Sequence, residues 1–231
     1  MKIGLIGAMT VEVEALKEKT ENKRISVISG VEYVEGTLCG KDVVLAVAGV
    51  GKVNAGICAQ TMILKFQPDV IINTGVAGGI GNNVKILDVV VATSVAQHDM
   101  DTSPLGDPVG FITGINKVTM DCDADTCNRL CAAAEACNVA PIRGMIVSGD
   151  QFIGSKEQID KIQANFNAMA VEMEGGAIGQ VCTMNGGVPF AVVRAISDGG
   201  DDEANMNYPQ FVKVACAKSV EIICAYLNGL N

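Results

Sequence analysis

Tryptophan is absent from the chain, histidine occurs once, and aromatic residues make up only 4%. A platform for single-stranded nucleic acid stacks bases on aromatic rings, and this chain has little to build one from. It also has no run of Lys or Arg, and its formal net charge of −9 leaves no basic face for a phosphate backbone. Nucleic acid is therefore not an expected partner, although single Lys or Arg residues could still hold one small anion. No apolar run approaches the roughly 20 residues of a membrane-spanning helix, so no membrane association is expected. The opening Met1-Lys2-Ile3-Gly4-Leu5-Ile6-Gly7 has neither the apolar core nor the cleavage site of a signal peptide. Nine cysteines are present, an odd number without a Cys-x-x-Cys, and most lie inside apolar segments. They read as reduced thiols used as small hydrophobes, and the protein as cytoplasmic. Cys127 and Cys131 stand one helical turn apart with no histidine nearby, so no metal site is assigned there.

What the chain does have is core-forming material. Hydrophobic residues make up 49% and charged residues 19%, which excludes intrinsic disorder. Short apolar runs alternate with helical spacing. Strands are predicted over 3–6, 25–28, 33–38, 43–47, 69–74, 86–95, 142–148, 168–171 and 190–196. Helices are predicted over 11–19, 52–66, 126–137, 156–164, 176–184 and 208–227. Strands that are apolar throughout imply a parallel or mixed sheet covered on both faces. The fold class is thus α/β, a mixed β-sheet flanked by helices, in a single domain spanning residues 1–231. The stretch from Asp99 to Asp125, with Pro104, Gly106, Pro108, Gly110 and Gly114, reads as a long loop containing a turn or hairpin.

Ligands of open α/β sheets bind beyond the carboxyl ends of strands. Those ends are rich in acids: Glu12 and Glu14 after the first strand, Asp150 after Ser148, Glu172 and Glu174 after Val171, and Asp198 after Ile196. Asp and Glu also cap helices at such positions, and for Glu12, Glu14 and Asp150 taken singly that reading weighs equally. Glu172 and Glu174 flank Met173, where an extended backbone sends both to one side. Asp198 ends a run expected to be buried, and a desolvated acid has a raised pKa that suits general acid catalysis.

Other chemistries fail on inventory. His98 is the only candidate for a Ser/His/Asp or Cys/His system, and no Gly-x-Ser-x-Gly elbow is present. Gly49-Val50-Gly51-Lys52-Val53 lacks the Ser/Thr and the opening glycine of a nucleotide-triphosphate loop, and Gly75-Val76-Ala77-Gly78-Gly79-Ile80-Gly81 lacks dinucleotide-fold spacing. The latter's glycines read as a turn that lets the backbone approach a sugar or phosphate. A Mg²⁺ site held by carboxylates alone stays open.

Six blocks, in order along the chain, resemble 5′-methylthioadenosine/S-adenosylhomocysteine nucleosidases. They are Met1–Met9 with Glu12, Ala48-Gly-Val-Gly-Lys-Val-Asn-Ala55, Pro68-Asp-Val-Ile-Ile-Asn-Thr-Gly-Val-Ala-Gly-Gly79, Val147-Ser-Gly-Asp-Gln-Phe-Ile153, Ala170-Val-Glu-Met-Glu174 and Val192-Val-Arg-Ala-Ile-Ser-Asp198. The resemblance implies a nucleoside phosphorylase/hydrolase fold and hydrolysis of the N-glycosidic bond of a 5′-substituted adenosine, in methionine salvage and the recycling of S-adenosylmethionine by-products. It implies no metal and no organic cofactor. It makes Asp198 the general acid at adenine N7 and Glu12 the base for the attacking water. It places Glu174 on the ribose hydroxyls with Met173 beneath the sugar, alongside Glu172 in the substrate-binding set. Phe152 would stack on adenine, the Ile153 backbone would read its edge, and Ser197 would orient Asp198. Ala8, Met9, Val50 and Gly78 would line the site, and Tyr208 would stand against the 5′-substituent where the family usually has Phe. The family is usually homodimeric, with the 100–115 loop reaching the partner's site; Thr102 and Leu105 fall there, where larger apolar residues are common.

Two rival readings remain: a purine nucleoside phosphorylase of the same fold, and a nucleoside-binding protein without turnover. A phosphorylase needs arginines for phosphate. The chain has Arg24, Arg129, Arg143 and Arg194, of which only Arg24 falls in a predicted loop. Glu12 together with Val76 after Gly75 favours water, and the presence of Glu12, Glu174 and Asp198 favours turnover.

Overall fold

The computed structural model describes residues 1–230. In chain order the elements are β1 (Lys2–Gly7), α1 (Thr10–Lys19), β2 (Glu21–Ile28), β3 (Val31–Leu38), β4 (Lys41–Val47), α2 (Lys52–Phe66), β5 (Val70–Gly79) and β6 (Val89–Gln97). They continue with β7 (Thr119–Asp121), α3 (Ala124–Ala136), β8 (Ile142–Ser148), α4 (Lys156–Phe166), β9 (Ala170–Glu172), α5 (Gly175–Met184), β10 (Phe190–Asp198) and α6 (Ala204–Asn228). All strands join one mixed sheet, as the continuous apolar runs imply.

The sheet is not simply open. β5 pairs with β1, β9 and β10, and β10 pairs in turn with β6, β6 with β8 and β8 with β9. Those five strands, β5, β10, β6, β8 and β9, therefore close into a ring, while β1, β4, β3 and β2 extend from β5 as a wing. Closure removes the edges that a branching β5 would otherwise expose. All ten residues of β5 are buried. Helix α6 packs on β10, β5, α3 and α1, and α5 packs on α2, β6 and β8. A smaller apolar cluster of Ile80, Val147, Ile153, Ile162 and Phe166 joins α4 to the ring.

Several element boundaries differ from expectation for physical reasons. The glycine-rich segment after Thr74 is strand, not turn. β10 runs beside it, with Arg194 opposite Gly75, Ala195 opposite Val76 and Asp198 opposite Gly78, so the ladder continues through the glycines. Gly75 has φ of 154°, and a side chain there would collide with the Glu12 carboxylate. β2 begins at Glu21, since pairing with β3 sets Arg24 opposite Glu35; Arg24 is therefore an exposed edge-strand residue and not a loop residue. The long 99–125 stretch carries a 3₁₀ turn at Ser103–Leu105, an Ile112–Lys117 bridge and β7, which pairs with β6. A three-residue strand is too short to show periodicity. Among the described residues no helix is long and apolar enough to cross a membrane.

Candidate active site

The turns after β1, β4, β8 and β9 meet the ends of β5 and β10 around one cavity of about 200 Å³. All thirteen residues singled out from sequence for the site line it: Ala8, Met9, Glu12, Val50, Gly78, Phe152, Ile153, Glu172, Met173, Glu174, Ser197, Asp198 and Tyr208. Val76, Ala77, Gln151 and Val171 complete the wall. β9 runs antiparallel to β5 yet still delivers its acids here, because Val171 lies opposite Gly78 at the far end of the long β5. Glu14 is exposed and outside the cavity, and Asp150 turns away from it to accept the Lys52 N–H at 2.7 Å.

Glu12 occupies the third position of α1, and its capping role and its place in the cavity coincide. One carboxylate oxygen accepts the Ala8 and Met9 N–H groups at 2.7 and 2.9 Å, which satisfies donors that the helix start leaves free. The other accepts the Val76 N–H at 3.0 Å. Glu12 is 3% exposed, and burial raises its pKa against the opposing pull of Arg194 and the three backbone donors.

Asp198 ends β10 and lines the same cavity. Its oxygens accept the Ser197 hydroxyl and the Gly200 N–H, each at 2.9 Å. Burial raises its pKa, Asp201 adds to the rise, and these two donors oppose it. A β-carbon at Gly78 would come within 2.9 Å of the Asp198 carboxylate, so this approach requires glycine.

Glu174 sits at the N-cap of α5 and accepts the Gly51 N–H at 2.9 Å. Burial and the neighbouring Glu172 raise its pKa, while Arg194 at 3.9 Å holds it down. Glu172 is placed differently. Its carboxylate accepts the Glu174 N–H at 3.1 Å, the Gly175 N–H at 2.9 Å and the Ser148 hydroxyl, and it pairs with Arg194. Those donors commit its carboxylate oxygens to Arg194, Ser148 and the start of α5, although the residue lines the cavity. Phe152, 47% exposed, meets Tyr208 edge to face with centroids 5.7 Å apart, and the Tyr208 hydroxyl points to the Met9 sulfur at 3.2 Å.

Sequence reasoning used Arg194 only to count phosphate ligands. Arg194 is 1% exposed and joins Glu172, Asn73 and, through charge, Glu174. The signal was available: an arginine inside an apolar strand must find buried partners. The Val76 N–H contact to Glu12 left no such signal, since a backbone donor has no residue type.

The Phosphorylase superfamily profile matches residues 2–228. A 5′-methylthioadenosine/S-adenosylhomocysteine nucleosidase from Neisseria meningitidis, solved with methylthio-immucillin-A, is 36% identical with TM-score 0.95 and 99% of each chain covered. An S-adenosylhomocysteine nucleosidase from Streptococcus pyogenes is 33% identical with TM-score 0.95, covering 100% of this chain and 98% of that one. A futalosine hydrolase from Helicobacter pylori is 32% identical with TM-score 0.94, covering 100% and 98%. With a profile spanning nearly its whole length and full-length likenesses at 32–36% identity, the chain belongs to the phosphorylase superfamily, among relatives that include 5′-methylthioadenosine/S-adenosylhomocysteine nucleosidases and a futalosine hydrolase.

Proposed function

We propose that the protein hydrolyses the N-glycosidic bond of 5′-substituted adenosines, namely 5′-methylthioadenosine, S-adenosylhomocysteine and 5′-deoxyadenosine. The observation that carries this is the pairing in one cavity of two buried carboxylates with raised pKa, Glu12 and Asp198. Asp198 donates a proton to adenine N7 as the C1′–N9 bond breaks and its electrons pass into the ring. Glu12 takes a proton from the water that attacks C1′. The products are free adenine and a 5-substituted ribose. Each correctly placed acid or base contributes on the order of 10²–10⁴ in rate. Glu174 binds the ribose hydroxyls over Met173, and its negative charge favours the oxocarbenium-like sugar. Phe152 stacks on adenine, the Ile153 backbone reads its edge, and Ser197 orients Asp198.

Water is favoured over phosphate because no Lys or Arg lines the cavity among the described residues. Phosphate would need such cations. Arg194 is committed to Glu172 and Asn73, and Arg24 lies on the edge strand. The futalosine hydrolase likeness supports a second reading of the same bond chemistry with a different 5′-group.

The first test is product analysis with methylthioadenosine, with and without phosphate. Free adenine and methylthioribose at a rate indifferent to phosphate are expected; a sugar 1-phosphate, formed only with phosphate, overturns the hydrolase.

Asp198→Asn and Glu12→Gln are expected to keep binding 5′-methylthiotubercidin while turnover falls by about 10²–10⁴. Asp198→Asn can keep both polar contacts, its oxygen accepting from Gly200 and its amide donating to Ser197. A carboxylate whose folded pKa is raised weakens the fold progressively as pH rises from its unfolded pKa, and fully once pH exceeds the folded pKa. The variant is therefore expected to be more stable than the unaltered chain at pH 8, by a margin that shrinks as pH falls toward about 4. Near-normal rates in both variants, or a less stable Asp198→Asn at pH 8, contradict these roles.

The protein is further proposed to act as a homodimer whose 100–115 loop closes the partner's 5′-pocket. Exposed Val50, Val53, Ile57, Phe152 and Leu105 support this, the first four lying beside the cavity mouth or on α2. Light scattering is expected to give twice the chain mass; a fully active monomer refutes it.

A further inference from the structure

Lys52 belongs to a glycine-flanked segment that is no phosphate loop, and the nucleosidase chemistry does not use it. Its surroundings give it another role. Its ammonium donates to Asp99 at 2.6 Å and to Gln97 at 3.1 Å, and its backbone N–H donates to Asp150 at 2.7 Å. The other oxygen of Asp99 accepts the Asp150 N–H at 2.9 Å. The Lys52 and Asp99 side chains are only 18% and 17% exposed. α2 has no acid of its own in its first turn, so Asp150 supplies the anion at its start from a different loop. Gly51, at φ 98°, has room for only a hydrogen here: a β-carbon would sit 3.0 Å from the Asp150 carboxylate.

Two walls of the cavity are joined by this arrangement. The 49–52 turn carries Val50 and the Gly51 N–H that holds Glu174. The 150–153 segment carries Phe152 and Ile153. Val50, Phe152 and Ile153 lie outside helices and strands, and Asp99 is a group that bonds to both segments.

We propose that Lys52 and Asp99 are positioning residues that clamp the 49–52 turn to the 150–153 segment and so set the width of the slot that receives the adenosine. The inference rests on the nucleosidase reading and concerns how the same site binds. The clamp touches no reacting atom, so loosening it removes binding shared by ground state and transition state, which raises KM and spares kcat.

The test compares Lys52→Met, Lys52→Arg, Asp99→Asn and the Lys52→Met/Asp99→Asn pair in the full chain. It reads adenine release from methylthioadenosine and affinity for 5′-methylthiotubercidin. Losing a charge-assisted hydrogen bond is expected to raise KM and the analogue Kd about ten-fold or more in Lys52→Met and Asp99→Asn. The loss in the pair is expected to be less than additive, because the Lys52–Asp99 bond is already absent from each single variant. Lys52→Arg, which keeps the charge, is expected to recover most of the affinity. Lys156→Met, which breaks an exposed helix-surface pair, is expected to change nothing.

Unchanged KM and Kd, additive losses in the pair, or a fall in kcat with KM unmoved would overturn the clamp. If Lys52→Met does not fold, Asp99→Asn and Lys52→Arg decide by the same criteria. An unaltered chain that binds the analogue but releases no adenine sinks the nucleosidase reading, whereas normal hydrolysis with normal binding by the variants sinks the clamp alone.

Discussion

The fold is organised around one fully buried guanidinium. Arg194 sits in the centre of β10, and the acids on two neighbouring turns are arranged about it. Removing an ion from water is costly unless partners replace its hydration. Glu172 and Asn73 replace it at close range, and Glu174 and Glu12 contribute through charge. With that cation in place, Glu172, Glu174 and Glu12 can share one small region without expelling one another or pulling water into the core. Ring closure makes this possible, since it brings β9 and β10 to the same stretch of β5.

The acids are then separated by their donors. Glu172 uses its oxygens on Arg194, Ser148 and the start of α5. Glu12 is held by three backbone N–H groups, which fix its orientation without adding charge. Asp198 has two donors, both neutral, and no cation among the groups that shift its pKa, so burial prevails and favours its protonated form. In the proposed reaction, a base beside a cation and an acid without one is the asymmetry that glycosidic cleavage needs. Glycine at 75 and 78 is part of the same design, because any side chain there would occupy the space of Glu12 or Asp198.

Much of this was legible in the sequence. Apolar runs ending in acids marked Asp198 and the Glu172–Glu174 pair, and strand–helix alternation gave the layered α/β fold. Glu12 could be read either as a cap or as a base, and in the structure the capping contacts are what aim it into the cavity. Three things were hidden. The extension of β5 through its glycines depends on pairing with β10, a contact between residues about 120 positions apart. The division between Glu172 and Glu174 depends on which of them meets Arg194 at close range. The Lys52–Asp99–Asp150 connection joins the start of α2 to two separate loops, and no local pattern encodes it.

In the proposed reaction, burial keeps the Asp198 carboxyl protonated beyond the ordinary aspartate range, ready to give its proton to a leaving base. The direct measurement is a ¹³C-detected NMR titration of the carboxyl groups in the unliganded protein, with the Asp198 resonance identified by its loss in Asp198→Asn. The account predicts that this resonance titrates clearly above about 3.9. A midpoint at or below that value would mean the site holds an ordinary ionised aspartate, and the assignment of Asp198 as the acid would fail.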